Sequence, residues 1–177
     1  MCSVRSPYPR WKVLLVLFFG SSLFFLILPL LIFFVSVFLD GLFGFPRFYW
    51  FPVNFVAGFV IGGFGWFLSF WSVYAQYRYG GGTPAAFLPP VRLVTEGPYR
   101  FSRNPMALGN MIFYVGIGVF LGSVSYILVT VIGFTVLFVY NKVFEERELI
   151  ARFGDEYIEY MKRTPFLFSF RRRKRRK

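Results

Sequence analysis

The stretch VLLVLFFGSSLFFLILPLLIFFVSVFL, residues 13–39, decides the fold. It runs for 27 residues without a charge. A hydrocarbon core takes about 20 helical residues to cross, so this segment is a membrane span with length to spare and must tilt or bend. Pro29, which has no N–H to give to the preceding turn, is where the bend is expected. A cleaved signal peptide has a shorter apolar core and a small-residue cleavage site, so the segment reads as a retained helix.

The composition agrees with that reading. Hydrophobic residues make up 56% of the 177-residue chain, Phe alone occurs 27 times, and charged residues reach only 16%, against about 25% in soluble domains. One membrane domain, residues 1–177, is expected. Basic residues number 20 against 8 acidic ones, a formal net charge of +12. The run RRRKRRK, residues 171–177, supplies seven of them. After membrane spans, such a tail points to anionic lipid headgroups and not to nucleic acid. There is no histidine, which excludes a Ser-His-Asp triad, a histidine zinc site and a haem histidine ligand within the chain. Cys2 is the single cysteine, so no intrachain disulfide or cysteine metal cluster forms, and no metal site is expected.

The other apolar runs complete an all-α, polytopic membrane bundle of about four spans. Residues 40–52 form a short loop whose Phe48, Tyr49, Trp50 and Phe51 suit the interfacial aromatic belt. The second span covers 53–75, with Gly58, Gly62, Gly63 and Gly65 letting helix backbones approach. Residues 76–105 are the longest polar stretch, including the flexible, Pro-rich connection YGGGTPAAFLPP. Residues 106–144 read as a helical hairpin turned at GSVS, 122–125. The segment 145–165 follows as one amphipathic helix, with Leu149, Phe153, Tyr157 and Tyr160/Met161 on one face.

Lys and Arg set the orientation. They gather at the amino terminus, in 76–104 and at the carboxyl end, whereas the 40–52 loop has only Arg47 and the 122–125 turn has none. The positive-inside rule then puts both termini in the cytoplasm. It also puts two polar clusters on the same side of the membrane. One is LVTEGPYRFSRNP, Leu93–Pro105. The other begins at Glu145-Glu146, just past the last apolar run, where a carboxylate is costly unless paired.

Taken in order, these clusters resemble the family of integral-membrane methyltransferases that includes isoprenylcysteine carboxyl methyltransferase and the phospholipid N-methyltransferases. The residues that carry the resemblance are Leu93-Val94, Gly97, Tyr99 and Arg103-Asn104-Pro105 before the hairpin. After it come Glu145-Glu146, Leu149, Phe153-Gly154, Tyr157 and Tyr160. The likeness covers Leu93 to Pro165. Asn104 stands where the family has His, Ala107 where Tyr is common, and KRTPFLF lacks a second Pro.

The resemblance implies S-adenosyl-L-methionine as cofactor, held by Leu93, Val94, Tyr99, Arg103, Asn104, Pro105, Met106, Ala107, Glu145 and Glu146. Arg103, Glu145 and Glu146 are the implied catalytic residues, with Arg103 suited to the cofactor carboxylate. Methyl transfer needs no protein nucleophile, so the lack of histidine is no obstacle. The implied acceptor is a membrane lipid or lipidated molecule. An isoprenylcysteine carboxylate, arriving ionised, is the leading reading. The alternatives are a phospholipid amine, which must first lose a proton, a non-catalytic protein on the same scaffold, and a lipid anchor whose tail is the working part. Nothing in the sequence signals an oligomeric state.

Overall fold

A computed structural model describes residues 6–85 and 87–167. Helix α1 spans Arg10–Phe43, α2 spans Val53–Gly80 and α4 spans Val124–Phe153; these three are long and apolar enough to cross a membrane. Helix α3, Pro105–Leu121, is apolar but has only 17 residues, about 26 Å at ~1.5 Å per residue. A short helix α5, Asp155–Arg163, follows α4. The chain is an integral, multi-pass, all-α membrane protein. The basic run 171–177 lies outside the described residues.

Helix α1 extends into the expected 40–52 loop and closes at Gly44. Its irregularity takes the form of a π turn over Leu23–Ile27, immediately before Leu28 and Pro29. There Leu28 N–H bonds to Leu23 O, five residues back, so Phe24 O loses its usual partner. In a bilayer no water replaces it. The Tyr114 hydroxyl of α3 donates to Phe24 O at 2.5 Å, and the Tyr126 hydroxyl of α4 donates to Pro29 O at 3.3 Å. Two buried tyrosines thus fix α1 against the hairpin.

Helices α2 and α3 form the most extensive packing of the bundle. A methyl group at Gly58 would come within 2.5 Å of the Phe120 backbone, one at Gly65 would strike the Phe113 backbone, and one at Gly116 would strike Gly62. Backbones approach only because side chains are absent. Gly63, by contrast, faces open space. Ser69 Oγ donates to Asn110 Oδ1 at 2.8 Å within this seam.

Gly122 and Ser123 join α3 to α4. Gly122 adopts φ 62°, and any Cβ there would strike Phe48 O. Ser123 caps α4 by accepting from Tyr126 N–H at 3.2 Å.

The amphipathic segment departs from the single helix expected over 145–165. Its first part continues α4 through a π turn, Asn141–Glu145, to Phe153. Gly154, at φ 55° and ψ −132°, then breaks the helix in a conformation that L side chains avoid. The break turns α5 so that Tyr157 and Tyr160 are buried. The glycine run 80–82 also differs from a loose linker. Gly80 O accepts from Val91 N–H at 2.8 Å and Thr83 N–H donates to Leu88 O at 2.7 Å. The loop therefore folds back on itself, and Gly82 packs against the Pro89 carbonyl.

Candidate functional site

At one end of the bundle a cavity of about 310 Å³ opens between the 84–107 segment and the end of α4. Small-molecule sites begin at about 300 Å³. One wall is Leu93, Val94, Tyr99, Arg103, Asn104, Pro105, Met106 and Ala107, and the facing wall includes Asn141, Glu145, Glu148 and Arg152. Glu146 is set behind that wall.

The walls are tied together by polar contacts. Asn104 ends the polar segment as the residue before α3, and its Oδ1 accepts from Asn141 Nδ2 at 3.1 Å. Arg103 is spent on protein partners. Its Nη2 lies 2.6 Å from Glu146 Oε1, with only 10% and 12% of the two side chains exposed. The contact is an ion pair, not a well-aligned hydrogen bond. Arg103 Nη1 donates to Met161 O and Thr164 O, each at 3.1 Å. The Arg103 and Asn104 backbone N–H groups donate to Pro165 O and Phe166 O. Arg103 thus binds α3's approach to α4 and to the segment after α5. Arg103 and Glu146 neutralise each other's charge without a cofactor, which the sequence reading did not foresee, although Arg103 Nε is left over.

Tyr99, on the same wall as Arg103, sits on a 3-10 turn, Gly97–Arg100. The Tyr160 hydroxyl of α5 donates to Tyr99 O at 2.6 Å. Burial pushes the Tyr99 hydroxyl well above the usual phenol range, against a smaller lowering by its Gln76 hydrogen bond, and nearby Glu145 adds to the rise. Burial likewise raises Tyr157 and Tyr160. All three remain neutral donors at physiological pH. Tyr99 Oη accepts from Gln76 Nε2 at 2.6 Å, which leaves its own proton free to donate.

Three groups keep unused capacity here. Gln76 Oε1 and Arg103 Nε are buried without a hydrogen-bond partner. Turning the Gln76 amide over would let Oε1 accept the Tyr99 proton and leave Nε2 over instead, so in either orientation one amide atom is uncommitted. Glu145 makes no hydrogen bond or ion pair among the described residues. A site with a carboxylate and one uncommitted atom of the Gln76 amide, beside apolar Leu93, Val94 and Met106, suits a ligand with cationic and hydroxyl groups and a flat hydrophobic part. S-adenosyl-L-methionine has an ammonium, a sulfonium, a ribose diol and an adenine, so the residues present fit it.

Sequence reasoning passed over Gln76 and Asn141. Both are amide side chains at the end of a long apolar run, which is the signal that would have found them. Glu148, Arg92 and Arg152, to which the sequence reading gave no part in the site, line the mouth. Arg152 Nη2 donates to Pro90 O, so the end of α4 is pinned to the loop.

The profile of the family described as Phospholipid methyltransferase matches residues 53–156. That range takes in α2, the polar segment, α3, α4 and the start of α5, and leaves α1 outside. Over 76 residues the chain is 33% identical to the Cobalt-zinc-cadmium resistance protein CzcN of Cupriavidus metallidurans, a match that covers 43% of this chain and 35% of that protein. The chain thus spans about a third of that relative's length.

Proposed function

From the premise that this chain belongs to the phospholipid methyltransferase family, we propose that it transfers methyl groups from S-adenosyl-L-methionine to the amine headgroup of a membrane phospholipid. The family match supports this acceptor over the isoprenylcysteine carboxylate that led the sequence reading. The observation that carries it is Glu145, a carboxylate without a protein partner on the wall of a cavity that opens at the end of the membrane helices.

Leu93, Val94, Met106 and Ala107 would hold the flat hydrophobic part of the cofactor, and Tyr99, Gln76 and Asn104 its polar groups. When bound, the cofactor supplies an electrophilic methyl group on a sulfonium, transferred by in-line displacement. An ammonium headgroup has no lone pair for that displacement. Glu145 is the group that accepts its proton and then holds the amine in place. Arg103 and Glu146 are positioning residues. They hold the two walls at a fixed separation, and alignment of acceptor and donor is where most of the rate in such a displacement comes from. Lysine and arginine asymmetry supports a cytoplasmic location for this end of the bundle, with α3 as the fourth span.

The test is calorimetry of the detergent-purified protein with S-adenosyl-L-methionine, followed by transfer of labelled methyl groups to phosphatidylethanolamine in vesicles. Binding with labelled phospholipid supports the proposal. Absence of binding overturns it. Binding with label only on a prenylcysteine acceptor returns the isoprenylcysteine reading.

A further inference from the structure

A second cavity, of about 180 Å³, lies deeper in the bundle between α1, α2 and α3. It shares Pro84, Ala85 and Met106 with the first, so the two meet across those residues. Its origin is the way α1 is attached. The Tyr8 hydroxyl donates to Pro89 O at 3.2 Å at one point. Farther along, Phe25 stacks on Phe70 at 5.3 Å between centroids and meets Phe113 edge-on at 5.2 Å. Between these pins α1 stands off the bundle. Val16, Gly20 and Phe24, spaced one helical turn apart, give one face to the gap.

We infer that this cavity seats an apolar chain of the acceptor lipid, and that α1, through the space left at Gly20, sets which chain fits. The inference rests on the methyltransferase reading. A lipid whose headgroup reaches Glu145 must put its chains into the bilayer side of the cofactor cavity, and the space that continues that cavity is this one. It is smaller than the ~300 Å³ of a drug-sized pocket, so it takes one chain and not a whole lipid. Gly20 is the narrow control. A Cβ there meets no atom beyond its own helix turn within 4 Å, so a larger side chain occupies space without displacing the fold. Because α1 lies outside the family match at 53–156, chain selection would belong to a part of the protein that the family profile does not define.

The experiment uses the full chain in lipid nanodiscs that contain phosphatidylethanolamine with a diazirine on one acyl chain. Adducts are mapped at cavity residues Val73 and Met106 and at Phe18 and Phe19, which are 66% and 67% exposed and face the bilayer. Gly20→Leu removes room for about two methylenes, so cavity adducts and methyl transfer to long-chain phosphatidylethanolamine are expected to fall about tenfold. Adducts at Phe18 and Phe19 and affinity for S-adenosyl-L-methionine stay as in the wild type. Cavity adducts that ignore Gly20→Leu overturn the inference. So does equal labelling by phosphatidylglycerol carrying the same chain, which would mean bulk lipid fills the gap. Failure of the wild type to bind S-adenosyl-L-methionine is a separate result and counts against the methyltransferase reading.

Discussion

The two ends of the bundle each hold an acidic and a basic side chain together, but they leave different things over. At the end away from the cofactor cavity, Arg47 Nη2 and Nε reach Asp40 Oδ2 at 3.1 and 3.2 Å, and Ser125 Oγ donates to Asp40 Oδ1. Both carboxylate oxygens are used. The cavity there is about 170 Å³, and the Phe48 N–H bond to Gly122 O at 2.9 Å closes the loop over the hairpin turn. At the other end Arg103 and Glu146 pair just as closely, yet Glu145, Arg103 Nε and one atom of the Gln76 amide remain unpartnered around a larger space. A polar cluster that satisfies itself is a latch. One that stops short of doing so beside a cavity is a site: its buried leftover atoms, on Gln76 and Arg103, each cost about 1–3 kcal/mol until something binds them, and the exposed Glu145 carboxylate is free to meet a ligand.

Both ends hang on the α2–α3 seam, so breaking the seam is expected to have the largest effect. Gly65→Leu and Gly116→Leu drive a side chain into facing backbone and should cost ~3 kcal/mol or more. The measurements are recovery of monodisperse protein and the thermal midpoint in detergent. Gly63→Leu, facing open space, should behave as wild type. If Gly65→Leu did so too, the seam would not be what holds the two ends in register.

Next comes Arg103→Met. It strands Glu146 as a buried charge and also removes the bonds to Met161 O and Thr164 O, a loss of ~3–5 kcal/mol. The double variant Arg103→Met/Glu146→Met should recover part of that stability, because an apolar pair no longer carries an unpaired charge. It should not recover affinity for S-adenosyl-L-methionine, since the walls lose their fixed spacing. Full recovery of both would reduce the pair to a second latch, and the contrast between the ends would fail.

Glu145→Gln isolates the leftover group from the paired ones. Having no protein partner, Glu145 should be replaceable with little change in thermal midpoint. Methyl transfer to phosphatidylethanolamine should fall at least about tenfold, as expected for the loss of a general base. A large loss of stability with unchanged transfer would move Glu145 from the site to the latch class.

The difference between the ends was only half legible in the sequence. Charge-free runs such as 13–39 announce helices because a bilayer permits little else. Gly58, Gly62 and Gly65 announce a close helix contact by spacing alone. What the sequence conceals is partnership. Arg103 and Glu146 lie on either side of the hairpin, and spacing brings them to one membrane face without saying that they pair with each other. Gln76 and Asn141 look like ordinary ends of apolar runs until the fold sets them against Tyr99 and Asn104. Gly154 falls inside what the sequence presents as one amphipathic helix, and only its positive φ shows that it splits the helix and buries Tyr160 against Tyr99 O. The π turn at Leu23–Ile27 escapes a pattern reading, because it depends on Tyr114 arriving from another helix to take Phe24 O.

The smallest expected effect is at the latch itself, and it is the sharpest check on the comparison. Arg47 is 39% exposed while Asp40 is 11% exposed, so solvent screens the pair and Asp40 keeps the Ser125 hydroxyl when Arg47 is lost. Arg47→Met should therefore cost only ~0.5–1 kcal/mol, well below Arg103→Met although both remove an arginine from a carboxylate. Affinity for S-adenosyl-L-methionine should not change, because the α2–α3 seam separates Arg47 from the cofactor cavity. Glu159→Gln sets the floor. Its partner Arg163 is one turn away on α5, both side chains are more than 60% exposed, and such a pair contributes ~0.3–0.5 kcal/mol. The ordering to be measured by thermal midpoint is Arg103→Met, then Arg47→Met, then Glu159→Gln, with only the first altering calorimetric binding. If Arg47→Met lowered cofactor affinity as much as Arg103→Met does, the two ends would be coupled through the bundle, and the division into latch and site would have to be given up.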